Sequence, residues 1–242
     1  MPLTFTTTAE AARLHGVKSC AHGRGGVGKT TLVRTLHEWP STGPTLLLSA
    51  ESGVLSLGDV EIPQITITNY AEMDEAYNFI AFSEHAKKFK SVALDSISEI
   101  AEQCLRGEMA VRKDGRAAYG EMGSQMRELI RKFRDLPNKH VYFSAKQSNN
   151  KDDITGVSRY GPSMPGQALT KDMPYFFDEL FSMEIGVIPE TGQQYRYLRT
   201  QLDLQFEAKD RSGALDALEE PHLGKIIDKI LAHNASLLPK GV

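Results

Sequence analysis

The sequence predicts an α/β fold in which a mainly parallel β-sheet is flanked by helices and continued by an antiparallel β extension. Short apolar runs alternate with helical patterns along the chain, an order typical of parallel sheets. The glycine-rich stretch HGRGGVGKTT (22–31) stands between the first apolar run and the first helical pattern. Two later β segments, 180–188 and 195–201, are separated by only a few turn-like residues, so we expect them to pair antiparallel.

The composition narrows the class of protein. The chain has 242 residues, of which 40% are hydrophobic and 24% charged, as is ordinary for one globular α/β domain. No apolar run approaches the roughly 18 residues that span a bilayer, and residues 1–16 lack the pattern of a signal peptide. We therefore expect a cytoplasmic protein without a membrane partner, in which Cys20 and Cys104 are buried thiols. A net charge of −3 argues against coating nucleic acid through bulk positive charge, but a local basic loop could still bind DNA.

The individual elements follow from apolar runs and helical periodicity. Strands are predicted over 17–21, 45–50, 62–68, 91–94 and 140–145. Helices are predicted over 30–39 and 71–89, from about 98, around 122–133, and over 223–233. Met122 and Met126 fall on the apolar face of the fourth helix, where we expect core residues. The stretches 112–120 and 148–166 are polar and contain glycine, so we expect loops there.

The glycine-rich stretch is a complete phosphate-binding loop (P-loop). Gly23, Gly28, Lys29 and Thr30 satisfy the pattern G-x-x-x-x-G-K-[ST]. Glycines let backbone N–H groups approach phosphate oxygens, Lys29 supplies a charge to the β- and γ-phosphates, and the Thr30 hydroxyl binds Mg²⁺. The pattern predicts ATP and Mg²⁺ as cofactors. The expected nucleotide-binding residues are Gly23, Arg24, Gly25, Gly26, Val27, Gly28, Lys29, Thr30 and Thr31.

Two carboxylates follow buried strands, where the ends of parallel strands meet. Asp95 ends the run SVALD and is the candidate second Mg²⁺ residue, acting mainly through water. Its alternative role is that of a helix N-cap in DSIS (95–98). Glu51 follows the run TLLLSA and could orient and deprotonate the water that attacks the γ-phosphate. The alternative for Glu51 is a solvated side chain.

More than one class of P-loop protein fits these residues. RGGVGKTT differs only by Arg24 from the KGGVGKTT loop of the ParA/MinD partitioning ATPases, where the first lysine reaches a neighbour's nucleotide. Those ATPases typically have a D-x-P-like turn after the second acidic strand, whereas this chain has DSIS. A small-molecule kinase, with 148–166 as its lid, is a further alternative. A binding module without hydrolysis is disfavoured by Glu51.

Other segments resemble the RecA family of ATPases. In that family a Glu follows the second strand and D-S follows the third, as Glu51 and Asp95 do here. HVYFSAKQ is similar to the RecA-family strand whose last polar residue, Gln147 here, senses the γ-phosphate. AKDRSG (208–213) resembles the K-x-R-x-G motif, which implies that Lys209 and Arg211 reach across a subunit interface to a neighbour's γ-phosphate. Together, the P-loop, the acidic residues and this resemblance imply catalytic roles for Glu51, Lys29, Lys209, Arg211 and Gln147. It also implies a homo-oligomer, a ring or filament, with ATP at the subunit interfaces.

A narrower resemblance involves YGEMGSQM, TGVSRYGPSMPGQAL, MPYFFDELF and AKDRSGALD. These segments are similar to phage-encoded, core-only RecA-like ATPases of the single-strand-annealing (Sak-type) group. The resemblance implies a RecA-like P-loop NTPase core over 15–213, a C-terminal helical tail over 214–242, and an N-terminal segment over 1–14 that contacts a neighbouring subunit. Phe5 resembles the anchor of the F-x-x-A docking segment, although Ala9 stands one place too late. The implied function is DNA-stimulated ATP hydrolysis in phage recombination, in the host cytoplasm, alongside a single-strand-binding protein.

The same resemblance implies that two loops, 106–120 and 148–166, hold single-stranded DNA. Cations there can neutralise phosphates and tyrosines can stack on bases. The candidate DNA-binding residues are Arg112, Lys113, Arg116, Tyr119, Lys151, Arg159 and Tyr160. The alternative is that both loops carry ordinary solvated charges.

Overall fold

The computed structural model describes residues 7–8, 15–51, 53–151 and 156–237, so the expected anchor Phe5 lies outside the described residues. The strands are β1 (Lys18–His22), β2 (Thr45–Ser49), β3 (Gln64–Thr66), β4 (Ser91–Asp95), β5 (His140–Lys151), β6 (Ser158–Ser163), β7 (Glu179–Val187), β8 (Gln194–Arg199), β9 (Lys209–Asp210) and β10 (Leu218–Glu219). The helices are α1 (Leu32–His37), α2 (Glu72–Phe82), α3 (Ile97–Val111), α4 (Gly115–Arg134), α5 (Gln167–Phe176) and α6 (Leu223–Leu237). Two 3₁₀ turns, Gly53–Leu57 and Glu84–Ala86, complete the described elements.

The strands form one sheet in the order β10–β8–β7–β1–β5–β4–β2–β3. Neighbours from β7 to β3 pair parallel, whereas β8 pairs antiparallel with β7 and β10 antiparallel with β8. Off this path, β6 pairs antiparallel with β5 and β9 with β7. The predicted fold class, a mainly parallel sheet with an antiparallel extension, is therefore confirmed.

Burial on both faces explains the apolar runs LLL in β2 and VAL in β4. Every residue of β1, β2 and β4 is buried, as expected for parallel strands covered by helices on both sides. Helices α2 to α5 cover one face, and Met122 and Met126 lie in that core as predicted. Helices α1 and α6 cover the other face. There Gly224 lets α6 approach Trp39 closely, because a Cβ atom at this position would lie 2.3 Å from the indole.

Strand order decides which loops meet. The carboxyl ends of β1, β5, β4 and β2 share one edge of the sheet, so the P-loop, the end of β4 and the residues after β2 come together there. Strand β5 lies between the P-loop strand β1 and the Asp95 strand β4. A polar residue at the carboxyl end of β5 can therefore lie close to the residues that follow both β1 and β4.

Both predicted DNA loops are shorter than the sequence suggested. Helix α3 ends at Val111 and α4 begins at Gly115, so Arg116 and Tyr119 lie in a helix and not in a loop. The Asp114 side chain accepts a hydrogen bond from the Arg116 N–H, and this N-cap starts α4 where a basic loop was expected. The prediction of a loop is wrong here because Gly115 and Gly120 do not prevent a capped, otherwise favourable helix from forming.

The predicted loop 148–166 is wrong as well. Strand β5 continues through Lys151 and pairs antiparallel with β6, while residues 152–155 lie outside the described residues. A third segment supports β6, since Tyr160 N–H donates to Gln205 O (2.6 Å) and Glu207 N–H donates to Tyr160 O (2.8 Å). These tertiary hydrogen bonds are the reason that a polar sequence without apolar alternation forms a strand.

The remaining boundaries differ from the predictions mostly by length. Helix α1 spans only Leu32–His37, α2 ends at Phe82 before a 3₁₀ turn, and β3 covers three residues. The predicted C-terminal helix is confirmed as α6. Among the described residues, none of the helices combines the length and hydrophobicity that crossing a membrane requires.

Candidate active site

A cavity of about 580 Å³ opens at the carboxyl edge of the sheet, between the P-loop and the ends of β2 and β4. It is lined by most of the predicted nucleotide-binding residues and by both predicted carboxylates. These lining residues are Gly25, Gly26, Gly28, Lys29, Thr30, Thr31, Glu51 and Asp95. Gly23, Arg24 and Val27 belong to the loop but do not line this cavity. The Arg24 side chain instead borders a second cavity of about 290 Å³ beside Gln147 and Tyr160.

The P-loop backbone has the conformation that its glycines predict. Gly26 and Gly28 have φ angles of 77° and 113°, values that residues with a Cβ atom rarely adopt. Lys29 Nζ donates to Gly23 O (2.8 Å) and Arg24 O (3.0 Å), which holds its ammonium across the loop. Burial lowers the pKa of Lys29, and the nearby carboxylates of Asp95 and Glu51 act in the opposite direction. A loop of this kind could bind a phosphate through its backbone N–H groups and the held cation of Lys29.

Asp95 and Thr30 form the oxygen cluster that was predicted for a metal. Thr30 Oγ1 donates to Asp95 Oδ2 at 2.7 Å, and the Ser144 hydroxyl donates to Asp95 Oδ1. Hydroxyl and carboxylate oxygens are the donors that Mg²⁺ prefers, so this set fits that ion. Thr30 could bind Mg²⁺ directly and Asp95 through water. The alternative role of Asp95 as a helix N-cap is wrong, because Ser96 caps α3 by accepting from the Glu99 N–H (3.3 Å).

Glu51 lines the cavity that holds Lys29 and Asp95. The Ser96 hydroxyl donates to Glu51 Oε1, and Ser49 Oγ donates to the Glu51 carbonyl at 2.7 Å. These two bonds orient the side chain and the backbone at the end of β2. A carboxylate held in this way can accept a proton from a water molecule within the cavity.

Gln147 lies beside the P-loop strand through a contact that the sequence did not reveal. Its Nε2 is 3.3 Å from His22 Nδ1, and His22 Nε2 is 2.7 Å from Glu207 O. Burial lowers the pKa of His22 to about 4, so the ring is neutral at pH 7. A neutral ring can donate from Nε2 to the carbonyl while it accepts at Nδ1 from the amide. His22 therefore connects the start of the P-loop to β5 and to the segment that supports β6.

Arg196 on β8 is a second residue that sequence reasoning missed. Its Nε donates to Val27 O at 2.8 Å, and its side chain lines the P-loop cavity together with Met183 and Pro221. No local signal could have found it, because 169 residues separate Arg196 from Val27 along the chain. The β7–β8 hairpin creates the contact, since β7 pairs directly with β1.

Lys209 and Arg211 lie at the opposite edge of the sheet from the P-loop. Strand β9 pairs with the first residues of β7, at Glu179 and Leu180, whereas the P-loop follows the far end of β1. Arg211 Nη1 is 2.9 Å from Asp178 Oδ1, and 59% of its side chain is exposed. Lys209 Nζ donates to Pro174 O (2.6 Å) and to Phe177 O within the same chain. Arg211 thus faces solvent, while Lys209 holds the end of α5.

The structure separates the predicted DNA-binding residues into two groups. Tyr119 and Lys151 line one groove of about 530 Å³ between α4, the β5–β6 hairpin and α5. Arg112 is instead paired with Glu108 (2.6 Å) and Glu121 (3.2 Å), which offsets its charge. Lys113 and Arg116 are exposed at the turn into α4.

The two remaining candidates engage the segment beside β6. Tyr160 stacks on Phe206 with ring centroids 5.4 Å apart, and Arg159 Nε donates to Asp203 O at 3.1 Å. Both side chains therefore have protein partners in this structure.

The fold and this site together define a P-loop ATPase. The chain matches the AAA domain family AAA_24 over residues 15–212, and because this match covers most of the chain, the protein belongs to that family. A comparison with curated proteins finds no significant match. The predicted membership in the P-loop ATPases is confirmed at this level.

Proposed function

We propose that this protein is a Mg²⁺-dependent ATPase that acts on single-stranded DNA in recombination or strand annealing, as a homo-oligomer. The observation that carries the proposal is the path of β5. This strand carries Gln147 beside the P-loop and continues four residues further to Lys151 in the groove with Tyr119. Four residues of strand span about 13 Å. One rigid element therefore connects the nucleotide cavity to a groove with the chemistry of a DNA site.

Hydrolysis follows from the residues that line the P-loop cavity. The loop N–H groups and Lys29 would bind the β- and γ-phosphates, and Thr30 and Asp95 would hold Mg²⁺. The bound ion would neutralise negative charge on the phosphates. Glu51, oriented by Ser96, would take a proton from the attacking water.

The groove offers both parts of a site for single-stranded nucleic acid. Tyr119 supplies an aromatic face and Lys151 a cation, while Asn149 and Gln167 supply amides that can hydrogen bond to bases or phosphates. A change at the γ-phosphate that displaces Gln147 would move the same strand that carries Asn149 and Lys151. This gives a physical route by which DNA could stimulate hydrolysis and ATP could strengthen DNA binding. A single-strand-binding protein is a partner that fits this role.

Oligomerisation would complete the active site. Arg211 is exposed at the edge opposite its own P-loop, so it can serve only the nucleotide of another subunit. In a head-to-tail ring or filament, Arg211 would exchange Asp178 for a neighbour's γ-phosphate. An arginine finger in trans of this kind is worth about 10³–10⁵ in rate.

The test is steady-state ATP hydrolysis with and without single-stranded DNA, for the wild type, Glu51→Gln, Arg211→Ala and Arg134→Ala. Arg134 is the matched control, since it is also an arginine that pairs with an aspartate, Asp135. We expect DNA to stimulate hydrolysis by the wild type and by Arg134→Ala. Glu51→Gln and Arg211→Ala should both lose turnover. Absence of any DNA effect on the wild type would contradict the DNA part of the proposal.

A mixing experiment tests the neighbour's contribution separately. Glu51→Gln retains its Arg211, and Arg211→Ala retains its Glu51, so mixed oligomers contain some sites with both residues. Activity should therefore reappear when two inactive variants are mixed. A further variant, Arg24→Ala, tests the partitioning-type switch. If mixing restores no activity and Arg24→Ala loses turnover, that switch replaces this proposal.

A further inference from the structure

We infer that Arg196 is a nucleotide-binding residue that contacts the α-phosphate of the nucleotide bound by its own chain. This inference rests on the proposed ATP binding and assigns the end of the cavity at which the nucleoside lies. Arg196 is the one cation besides Lys29 among the described residues that line the P-loop cavity.

The sheet order gives the cavity two chemically different ends. Glu51 follows β2 and Asp95 ends β4, on one side of β1, whereas Arg196 lies on β8, on the other side of β1. The metal-binding and water-activating oxygens mark the end that takes the γ-phosphate. The opposite end, where Met183 and Pro221 provide apolar surface beside Arg196, is left for the α-phosphate and the nucleoside.

The hydrogen bonding of Arg196 leaves most of its donors available. Only Nε has a partner within the described part of the chain, the Val27 carbonyl, so the N–H groups of Nη1 and Nη2 can bind a ligand. The bond to Val27 also fixes the plane of the guanidinium. Its aliphatic stem packs near Gly28, since Cδ lies 3.5 Å from the place where a Cβ atom on that glycine would stand.

Over the residues that the structure describes, no carboxylate forms an ion pair with Arg196. Arg199 on the same strand contrasts with it, because that guanidinium pairs with Glu184 (3.0 Å) and Asp203 (2.8 Å). A held guanidinium without an acidic partner, at the rim of a phosphate cavity, is suited to an anionic oxygen.

The experiment compares ligands that do and do not reach the α position. Affinities for ADP, ATP and pyrophosphate are measured by calorimetry on the wild type, Arg196→Met and Arg196→Lys. Methionine keeps the stem near Gly28 and removes the charge. Gln194→Ala is the matched control, because Gln194 is exposed on the same strand and the same face of the hairpin.

We expect Arg196→Met to weaken ADP and ATP binding by at least about tenfold, the loss of one charge-assisted hydrogen bond, with partial recovery in Arg196→Lys. Pyrophosphate, which the P-loop alone can hold, should change less than about threefold. An equal loss for pyrophosphate and ADP would mean that Arg196 only supports the P-loop through Val27, and unchanged ADP binding would also overturn the inference. A wild type that binds none of these ligands would instead contradict the proposed ATP binding itself.

Discussion

Glu179 makes a pH-dependent contribution to stability that a single substitution can remove. It is the first residue of β7, only 1% exposed, and it lies beside Asp210 and Asp178. Burial, and then the charge of Asp210, raise its pKa from 4.5 to about 8. Among the described residues, no group donates a hydrogen bond to Glu179 Oε2. This suits a protonated carboxyl group, which can itself donate to the Asp210 side chain. At pH 7 the folded protein therefore holds a proton on Glu179 that the unfolded chain has released.

The sign of the effect follows from this difference in bound protons. Between pH 4.5 and about 8 the folded state binds the proton and the unfolded state does not. Stability therefore falls as pH rises through this window, by up to about 1.4 kcal/mol per pH unit, and levels off above pH 8. Water that enters around a charged Glu179 reduces the total, and we expect about 2–4 kcal/mol across the window.

Glu179→Gln isolates this contribution, because glutamine keeps the shape and a donor but cannot ionise. Urea unfolding of the wild type, Glu179→Gln and Glu190→Gln is measured at pH 5, 6, 7 and 8. Glu190 is the control, since it is exposed in the turn between β7 and β8. The stability advantage of Glu179→Gln should grow from near zero at pH 5 to a few kcal/mol at pH 8. A constant difference between it and the wild type would refute the reasoning.

Three other predictions concern the P-loop cavity and the groove that Tyr119 and Lys151 line. Glu51→Gln should bind ATP within about threefold of the wild type and hydrolyse it at least about 100-fold more slowly; a single-turnover assay separates the two, and intact hydrolysis would exclude Glu51 as the base. Asp95→Asn should raise the Mg²⁺ concentration for half-maximal hydrolysis about 10–100-fold, measured by metal titration, and an unchanged midpoint would remove Asp95 from the metal site. Lys151→Ala should weaken binding of single-stranded DNA and lower its salt slope by about one, whereas Tyr119→Ala should weaken binding by about 1–3 kcal/mol with the slope kept. Fluorescence anisotropy at several salt concentrations checks both, with the paired Arg112→Ala expected to have less effect.

The nucleotide residues could be predicted from sequence because each follows a recognisable local pattern. The P-loop is contiguous, and Glu51 and Asp95 each end a run of apolar residues. Parallel strands align their carboxyl ends, so consecutive runs of this kind bring their last residues to one edge without further information. The structure places Lys29, Thr30, Glu51 and Asp95 around one cavity, as that rule predicts.

The two expected loops show where local patterns mislead. Polar and glycine-containing stretches indicate loops only when nothing else supports a helix or strand. Asp114 caps α4 within the first stretch, and the segment around Gln205 hydrogen bonds to β6 within the second. The capping pattern at Asp114 was available in the sequence, but the support for β6 comes from residues more than 40 positions away.

The sequence by itself determined the phosphate-binding loop, the two acidic residues and the parallel sheet, because short-range patterns and strand alignment are sufficient for them. Only the tertiary structure decided the contacts of Arg196 with Val27, of His22 with Glu207, and the burial of Glu179. In each case the partners belong to strands or segments far apart in the chain. Strand order in the sheet makes them neighbours, and no local pattern of residues encodes that order.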